Sequence, residues 1–217
     1  MSDPIRLLTV DDQPLIRMGF RLVLEAEPDL VVVGEAADGE EAIGRALALA
    51  PDVVLMDVRM PVLDGIAATR GILDARPGIR ILVLTTFDLD EYAFAALRAG
   101  ASGFLLKDAH AHELVAAIRA VHQGDAVISP RITRRMLEMF GDRLPQRTDE
   151  ERAGTLTDRE RDVLLAMAAG LNNTEIAAQL FVTESTVKTH VGRVLAKIGA
   201  RDRVHAVIFA YENGIVA

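Results

Sequence analysis

The run Val53-Val54-Leu55-Met56-Asp57, followed by Val58-Arg59-Met60-Pro61, decides the fold that the sequence predicts. Four consecutive apolar residues lead to one carboxylate, and an uninterrupted apolar run of this length is typical of a strand buried on both faces. Four further short runs rich in Val, Ile and Leu lie on either side of it, at Ile5–Val10, 30–34, Arg80–Thr85 and 102–106. The sequence therefore predicts five strands of a parallel sheet.

Longer amphipathic stretches alternate with these strands. Each is a helix candidate, near 14–26, 38–50, 64–75, 90–99 and 110–123. Pro14 suits a first helical turn, where an N–H group has no intrahelical partner, and Gly100 stands where the fourth helix should end. Five strand–helix units in a row predict an α/β fold, with a doubly wound five-stranded parallel sheet over residues 1–124.

Polar side chains follow four of the predicted strands, at the edge where doubly wound sheets carry their functional groups. They are Asp11-Asp12 after the first strand, Asp57 after the third, Thr85-Thr86 at the end of the fourth and Lys107 after the fifth. Three close carboxylates without His or Cys suit a hard ion such as Mg²⁺. A carboxylate beside Mg²⁺ and an ammonium group can attack phosphorus, and the Thr85 hydroxyl could then bond to the new phosphoryl group.

An enzyme remains an alternative at this point, because a sheet with clustered Asp and Lys also suits a phosphohydrolase or a flavin or nucleotide binder. Gly39 and Gly44 have the spacing of a phosphate-binding loop, but Arg45-Ala46 follows them instead of Lys-Ser/Thr. A single Asp at a strand end is more often a helix cap, so the prediction depends on four strand ends supplying compatible groups.

The front half resembles the receiver domain of two-component response regulators, which has a flavodoxin-like fold. The resemblance lies in Val10-Asp11-Asp12, Met56-Asp57-Val58-Arg59-Met60-Pro61, Asp64-Gly65, Thr85 and Gly103-Phe104-Leu105-Leu106-Lys107. It implies that Asp57 accepts a phosphoryl group from a sensor histidine kinase, with Lys107 as phosphoryl partner and Thr85 as switch hydroxyl. It also implies Mg²⁺ bound directly by Asp12 and Asp57, through water by Asp11, and by the Arg59 carbonyl.

Two positions of this resemblance leave alternatives open. Phe104 falls on the aromatic switch position of the family, but an ordinary core strand residue is an equal interpretation. Asp108 follows the lysine where many receivers have proline, which leaves the conformation of that loop undecided.

Residues 125–154 have a different character. Pro130, Gly141 and Pro145 interrupt the stretch, and 147–152 is a charged run. We interpret it as a linker with one amphipathic helix near 132–140.

No strand pattern occurs in residues 155–217, which predict a second, all-α domain of four helices. Thr157 and Glu160 form a capping box, Asn172 or Asn173 caps a second helix, and Thr183 caps a third that ends at Gly199. The fourth begins at Arg201 or Asp202. The three-residue turn at 181–183 has the length of a helix-turn-helix. The third helix has a buried stripe, formed by Val187, Val191, Val194 and Ile198, opposite a face of small, hydroxyl and basic residues.

This half resembles the LuxR-type DNA-binding domain of the NarL/FixJ family. The motifs are Leu156-Thr157-Asp158-Arg159-Glu160, Asn173-Thr174-Glu175-Ile176-Ala177, Thr183-Glu184-Ser185-Thr186-Val187-Lys188-Thr189-His190-Val191 and Leu195-Ala196-Lys197-Ile198-Gly199. The resemblance implies double-stranded promoter DNA as a partner, with Lys188 and Thr189 facing bases or nearby phosphates. Further DNA-facing candidates are Ser185, Thr186, His190, Arg193 and Lys197. Gly192 stands where many members carry a longer polar side chain, so one base contact is missing or shifted.

The family also implies that the unphosphorylated receiver covers the recognition helix, and that phosphorylation releases it and promotes a homodimer. Part of the apolar stripe Val204, Val207, Ile208 and Tyr211 would contact the partner, although packing on its own domain is the other interpretation. His190 has a similar alternative as a helix-packing residue. A helix-turn-helix that binds only protein is a further alternative.

Composition fits two parts with two partners. The net charge is −8, but residues 155–217 hold seven basic and seven acidic residues, and five of those bases lie within 188–203. The absence of cysteine excludes disulfides, thiolate metal sites and a cysteine nucleophile. We find no signal peptide pattern and no apolar run near the roughly 20 residues that span a bilayer. We therefore expect a cytoplasmic regulator that contacts no membrane and is not an enzyme.

Overall fold

A computed structural model describes residues 3–85, 90–124 and 156–216. The chain separates into two compact units, and each is considered by itself. The first unit contains strands β1 (Ile5–Val10), β2 (Leu30–Ala36), β3 (Val53–Asp57), β4 (Arg80–Thr85) and β5 (Gly103–Leu106). Its helices are α1 (Pro14–Glu25), α2 (Gly39–Leu49), α3 (Gly65–Ala75), α4 (Asp90–Ala99) and α5 (Ala111–His122).

The five strands form one parallel sheet in the order β2-β1-β3-β4-β5. All five residues of β3 are buried, as the continuous apolar run predicts. Side chains from α1 and α5, among them Leu24 and Ile118, pack on one face in a cluster with Leu7, Leu55 and Leu82. The chain order reverses between β1 and β3, which gives the doubly wound topology and places a crevice at their carboxyl ends. The predicted α/β fold is confirmed.

The strand boundaries differ from the prediction at β2. Gly34 suggests a strand end, but β2 continues to Ala36 and pairs with Val10. A Cβ atom at Gly34 would lie 2.5 Å from Cδ1 of Leu49, so the glycine lets α2 approach the sheet closely. Ser102 precedes β5, and its N–H donates to the carbonyl of Ile81.

The second unit contains four helices, α6 (Asp158–Ala168), α7 (Asn173–Leu180), α8 (Glu184–Ile198) and α9 (Arg203–Glu212). Side chains of Thr157, Asn172, Thr183 and Asp202 cap them by accepting backbone N–H bonds. Asn172, not Asn173, is thus the cap of the second helix. The core includes the four residues of the stripe on α8, together with Val207, Phe209 and Ala210 of α9.

The expected linker, its helix near 132–140 and Thr86 lie outside the described residues. Among the helices that the structure describes, none is both long and apolar enough to cross a bilayer.

Candidate functional site

A cleft of about 540 Å³ opens at the carboxyl ends of the strands. Its lining residues are Asp12, Gln13, Asp57, Val58, Arg59, Met60, Asp64, Ile66, Thr85, Tyr92 and Lys107. Residues at the ends of β3 and β4 and directly after β1 and β5 meet here because parallel strands end at the same edge of the sheet. The structure therefore places the predicted carboxylates, hydroxyl and ammonium group together.

Lys107 joins two of the carboxylates. Its Nζ lies 2.6 Å from Oδ2 of Asp11 and 2.8 Å from Oδ2 of Asp57. All three side chains are buried, whereas Asp12 is exposed at the rim. Because charges in such a site are poorly solvated, burial of the two carboxylates is costly, and the shared ammonium group offsets part of that cost.

Backbone N–H groups fix the orientation of these side chains. The N–H of Val58 donates to Oδ1 of Asp57 at 2.7 Å, and that of Gln13 donates to Oδ1 of Asp11 at 3.0 Å. The N–H of Lys107 donates to the carbonyl of Thr85 at 2.8 Å, which ties the loop after β5 to the end of β4. One oxygen of each buried carboxylate is thus held by backbone and the other by Lys107.

Burial raises the pKa of Asp57 above its ordinary value. The hydrogen bond and charge of Lys107 act in the opposite direction, and the neighbouring Asp11 raises the pKa further. Ionisation of Asp57 therefore costs more free energy in this site than in water, and an additional cation would reduce that cost.

The three carboxylates lie close enough together that they could hold a metal ion. Each of Asp11, Asp12 and Asp57 offers one oxygen, and these oxygens lie within 4.8 Å of one another. Three negative charges against the single positive charge of Lys107 leave an excess of two, which a divalent cation would balance. Oxygen donors suit Mg²⁺, and Arg59 also lines the cleft. The residues present fit the ion that the sequence predicts.

Gly65 allows the start of α3 to lie against the end of β3. A Cβ atom there would lie 1.8 Å from the carbonyl oxygen of Asp57, so no larger residue fits without movement of the backbone. The N–H of Gly65 donates to the carbonyl of Val58, and the Asp64 side chain caps α3. The Asp64-Gly65 pair thus fixes the backbone that carries Asp57.

The predicted switch residues are both buried, Thr85 at the end of β4 and Phe104 within β5. Sequence reasoning missed Gln13, Ile66 and Tyr92 as lining residues. Gln13 directly follows the Asp pair, and that position could have suggested it. Nothing in the sequence distinguishes Tyr92, which reaches the cleft because α4 begins close to it.

The second candidate site is the exposed face of α8. Ser185, Lys188, Thr189, Gly192, Arg193 and Lys197 are exposed, whereas Thr186 and His190 are half-buried. The hydroxyl of Thr186 lies 2.8 Å from that of the N-cap Thr183. Nδ1 of His190 is buried and has no hydrogen-bond partner among the described residues. Thr186 and His190 therefore lie at the edge of this face and not at its centre.

The basic side chains of α8 differ in their partners. Nζ of Lys188 lies 3.3 Å from Glu184, and Nζ of Lys197 lies 2.6 Å from Glu160, a buried residue of α6. Within the described parts of the chain, Arg193 has no acidic partner. The structure thus leaves Arg193 available to an external anion and engages Lys197 inside the domain.

A carboxylate–lysine cleft at the switch point of a doubly wound sheet, together with a separate helix-turn-helix unit, defines a class of protein, the two-component response regulators with a DNA-binding domain. Two family models match the chain, the response regulator receiver domain over residues 7–119 and the luxR family of bacterial regulatory proteins over residues 154–210. The chain belongs to the response regulators that join a receiver to a LuxR-type DNA-binding domain.

Individual relatives agree with this assignment. The chain is 50% identical over 217 residues to YxjL of Bacillus subtilis (strain 168), an uncharacterized transcriptional regulatory protein, with 99% of each chain covered. It is similar to the crystal structure of ChrA, the response regulator of a heme-sensing two-component system, with 34% identity, a TM-score of 0.54 and 99% and 100% coverage. The receiver domain of a NarL from Mycobacterium tuberculosis matches 57% of this chain and 99% of its own, with 36% identity and a TM-score of 0.55.

Proposed function

We propose that Asp57 accepts a phosphoryl group from the phosphohistidine of a sensor kinase, and that this controls binding of the second unit to promoter DNA. The observation that carries the proposal is the pair of buried contacts from Lys107 to Asp11 and Asp57 beside the cleft. The domain bounds 1–124, 125–154 and 155–217 and a cytoplasmic location are part of the same proposal.

In the transfer, an oxygen of Asp57 forms a bond to phosphorus, and the bond from phosphorus to the histidine nitrogen breaks. The histidine leaves as a neutral imidazole after it takes a proton. Lys107 stays beside the phosphoryl oxygens and offsets their negative charge. Asp11, Asp12, Asp57 and the Arg59 carbonyl would hold Mg²⁺, which would neutralise further charge on these oxygens.

The new phosphoryl group brings nearly two negative charges into the cleft. The hydroxyl of Thr85 turns toward it, and Phe104 moves with the end of the sheet. The group favours the conformer in which these contacts form, because a ligand shifts an equilibrium only by its differential affinity. Release of the recognition helix and formation of a homodimer follow from this shift.

On DNA, α8 enters the major groove. Lys188 and Thr189 lie closest to the bases, while Ser185, Thr186, His190, Arg193 and Lys197 hold the backbone or position the helix. The ion pair of Lys197 with Glu160 supports a positioning role for this lysine. Gly192 supplies no side chain, so the neighbouring base is read by another residue or is not read.

The proposed output is regulation and not turnover, so that each chain takes up one phosphoryl group and loses it slowly. An enzyme such as a phosphohydrolase would release many phosphates per chain from the same donor. Measurement of phosphate released per chain with acetyl phosphate as donor distinguishes the two.

DNA binding of the full chain to a promoter fragment, with and without beryllofluoride, tests the coupling. Wild-type protein should bind more tightly when beryllofluoride is present, and Asp57→Asn should bind with the weaker affinity in both conditions. Equal affinity in all four measurements would contradict phosphorylation control and leave DNA binding intact.

A further inference from the structure

Glu184 occupies the first position of the recognition helix α8, directly after the N-cap Thr183. Both oxygens of its carboxylate are engaged. Oε1 lies 3.3 Å from Nζ of Lys188, one turn along the helix, and Oε2 accepts a hydrogen bond of 3.3 Å from the hydroxyl of Thr174 on α7. The carboxylate is thus held on the same face as the proposed DNA contacts.

This ion pair is not explained by stability. About half of each side chain is exposed, at 54% for Lys188 and 48% for Glu184, and exposed pairs of this kind contribute little to folding. A negative charge in the first turn of a helix is favourable in itself, but the face that Glu184 shares with Lys188 must approach a polyanion. The carboxylate of Glu184 therefore opposes DNA binding in general. This opposition has a function if it improves selectivity between duplexes.

We propose that Glu184 is a specificity-determining residue, which holds Lys188 away from phosphates and so weakens binding to duplexes of arbitrary sequence. The proposal rests on the proposed DNA-binding function. Specificity is the difference between the affinity for the correct site and the affinity for other duplexes. A repulsive group weakens binding to every duplex, and it raises specificity when contacts in the correct site offset the repulsion.

The correct site can offset the carboxylate in a way that a phosphate cannot, because a guanine edge accepts from Lys188 within the groove while the ion pair with Glu184 stays in place. A phosphate offers only negative charge, so that contact between Lys188 and a phosphate requires the ion pair to break and leaves Glu184 facing the backbone. Glu184 therefore penalises non-specific complexes more than specific ones.

The test uses the full chain activated with beryllofluoride, a duplex selected from a random library by the wild-type protein, and a scrambled duplex of the same composition. Affinities are measured over a range of salt for wild type, Glu184→Gln, Lys188→Met and the double variant. Asp158→Asn is the matched control, because Asp158 is also an exposed acid in the first position of a helix of this unit and has no lysine partner among the described residues.

Glu184→Gln should bind the scrambled duplex about three- to tenfold more tightly and steepen its salt slope by about 0.9, the effect of one added phosphate contact. Affinity for the selected duplex should rise less, so that the ratio of the two affinities falls at least about threefold. In the Lys188→Met background the same substitution should leave the ratio unchanged, and Asp158→Asn should leave it near the wild-type value.

The inference is overturned if Glu184→Gln leaves the ratio of the two affinities unchanged, or if the ratio falls equally with and without Lys188. In either case, binding of the wild-type protein to the selected duplex still upholds the proposed function. If the wild-type protein binds neither duplex in a salt-dependent manner, the proposed DNA-binding function fails, and the inference fails with it.

Discussion

At the scale of single residues, Lys107 determines the charge balance of the cleft. It is the cation shared by two buried carboxylates, and a third carboxylate, Asp12, lies close enough to contribute to the same ion site. The site holds more negative than positive charge, and a divalent cation would balance the excess. Burial is the main cause that raises the pKa of Asp57, and the negative charge of Asp11 adds to it.

The stability of the receiver unit should depend on the cost of ionising the buried Asp57. Because the folded-state pKa of Asp57 is raised above 3.8, the stability linked to this group is present when it is protonated and is lost as the pH rises through the raised value. Asp57→Asn cannot ionise, so it does not lose this stability as the pH rises. Without divalent cations, the variant should therefore be more stable than the wild type at pH 7. Mg²⁺ at ten times its dissociation constant should stabilise the wild type by about 1.4 kcal/mol.

Urea unfolding with and without Mg²⁺ measures both effects. Arg45→Gln, which changes an exposed side chain of α2, provides a control that should respond to Mg²⁺ as the wild type does. Equal Mg²⁺ stabilisation of wild type and Asp57→Asn would contradict the assignment of Asp57 as a ligand.

The junction between β3 and α3 depends on close backbone approach, which is a property of the elements and not of one side chain. Gly65→Ala places a methyl group 1.8 Å from the carbonyl oxygen of Asp57, so the helix start must move. We expect a loss of about 2 kcal/mol or more in the free energy of unfolding and slower phosphorylation by acetyl phosphate.

Gly19→Ala is the matched control for this substitution. Gly19 lies within α1, is exposed and has no neighbouring atom within 4 Å of an added Cβ. Alanine is the better helix former, so this variant should be more stable by about 0.5–1 kcal/mol and phosphorylate normally. Equal stability of the two variants would rule out steric fixation of the phosphoacceptor by Gly65.

The ion pair of Glu160 with Lys197 ties the start of α6 to the end of α8. The hydrogen bond from Lys197 is the largest cause that lowers the pKa of Glu160 to about 2, and the N–H of Thr157 contributes to the same shift. A lowered carboxylate pKa stabilises the fold above the ordinary value of 4.5, and this stability is lost as the pH falls toward about 2.

Lys197→Met should therefore be less stable than wild type at pH 7, and the difference should shrink below pH 4.5. Urea unfolding followed by helical circular dichroism at several pH values measures it. Arg45→Gln breaks an exposed pair with Glu41 and should have little effect at any pH. A difference from wild type that does not vary with pH would show that the lysine stabilises the fold by packing and not by charge.

At the scale of the whole molecule, each unit has a hydrophobic core of its own. We expect the fragments 1–124 and 155–217 to fold separately, because among the residues that the structure describes, no member of either cluster comes from the other unit. The second fragment should bind the selected duplex equally with and without beryllofluoride. Circular dichroism and DNA titration test this, and a fragment that stays unfolded would show that the units depend on each other.

Phosphorylation should also change the state of association. With beryllofluoride and Mg²⁺ the full chain should sediment as a dimer at concentrations where the untreated chain is a monomer. Asp57→Asn should stay monomeric in both conditions. Dimers of the same strength in this variant would place the control of association elsewhere.

The sequence by itself determined the number and order of the strands, several of the helix caps and the charged groups of the cleft. These depend on local patterns: apolar runs such as 53–56 form buried strands, Thr157 and Asn172 cap their own helices, and residues at the ends of parallel strands meet at one edge. The family follows from the same motifs. The prediction that the second strand ends at Gly34 was wrong, because the sequence alone does not show that α2 packs against this glycine.

Only the tertiary structure decided the partners of the charged side chains. Lys107 could have been a solvated lysine, but packing places it between Asp11 and Asp57, and Lys197 bonds to Glu160, 37 residues away. Tyr92 lines the cleft only because of where α4 begins. Such contacts join segments that are distant in the chain, so they depend on how the elements pack, which the local pattern of the sequence does not specify.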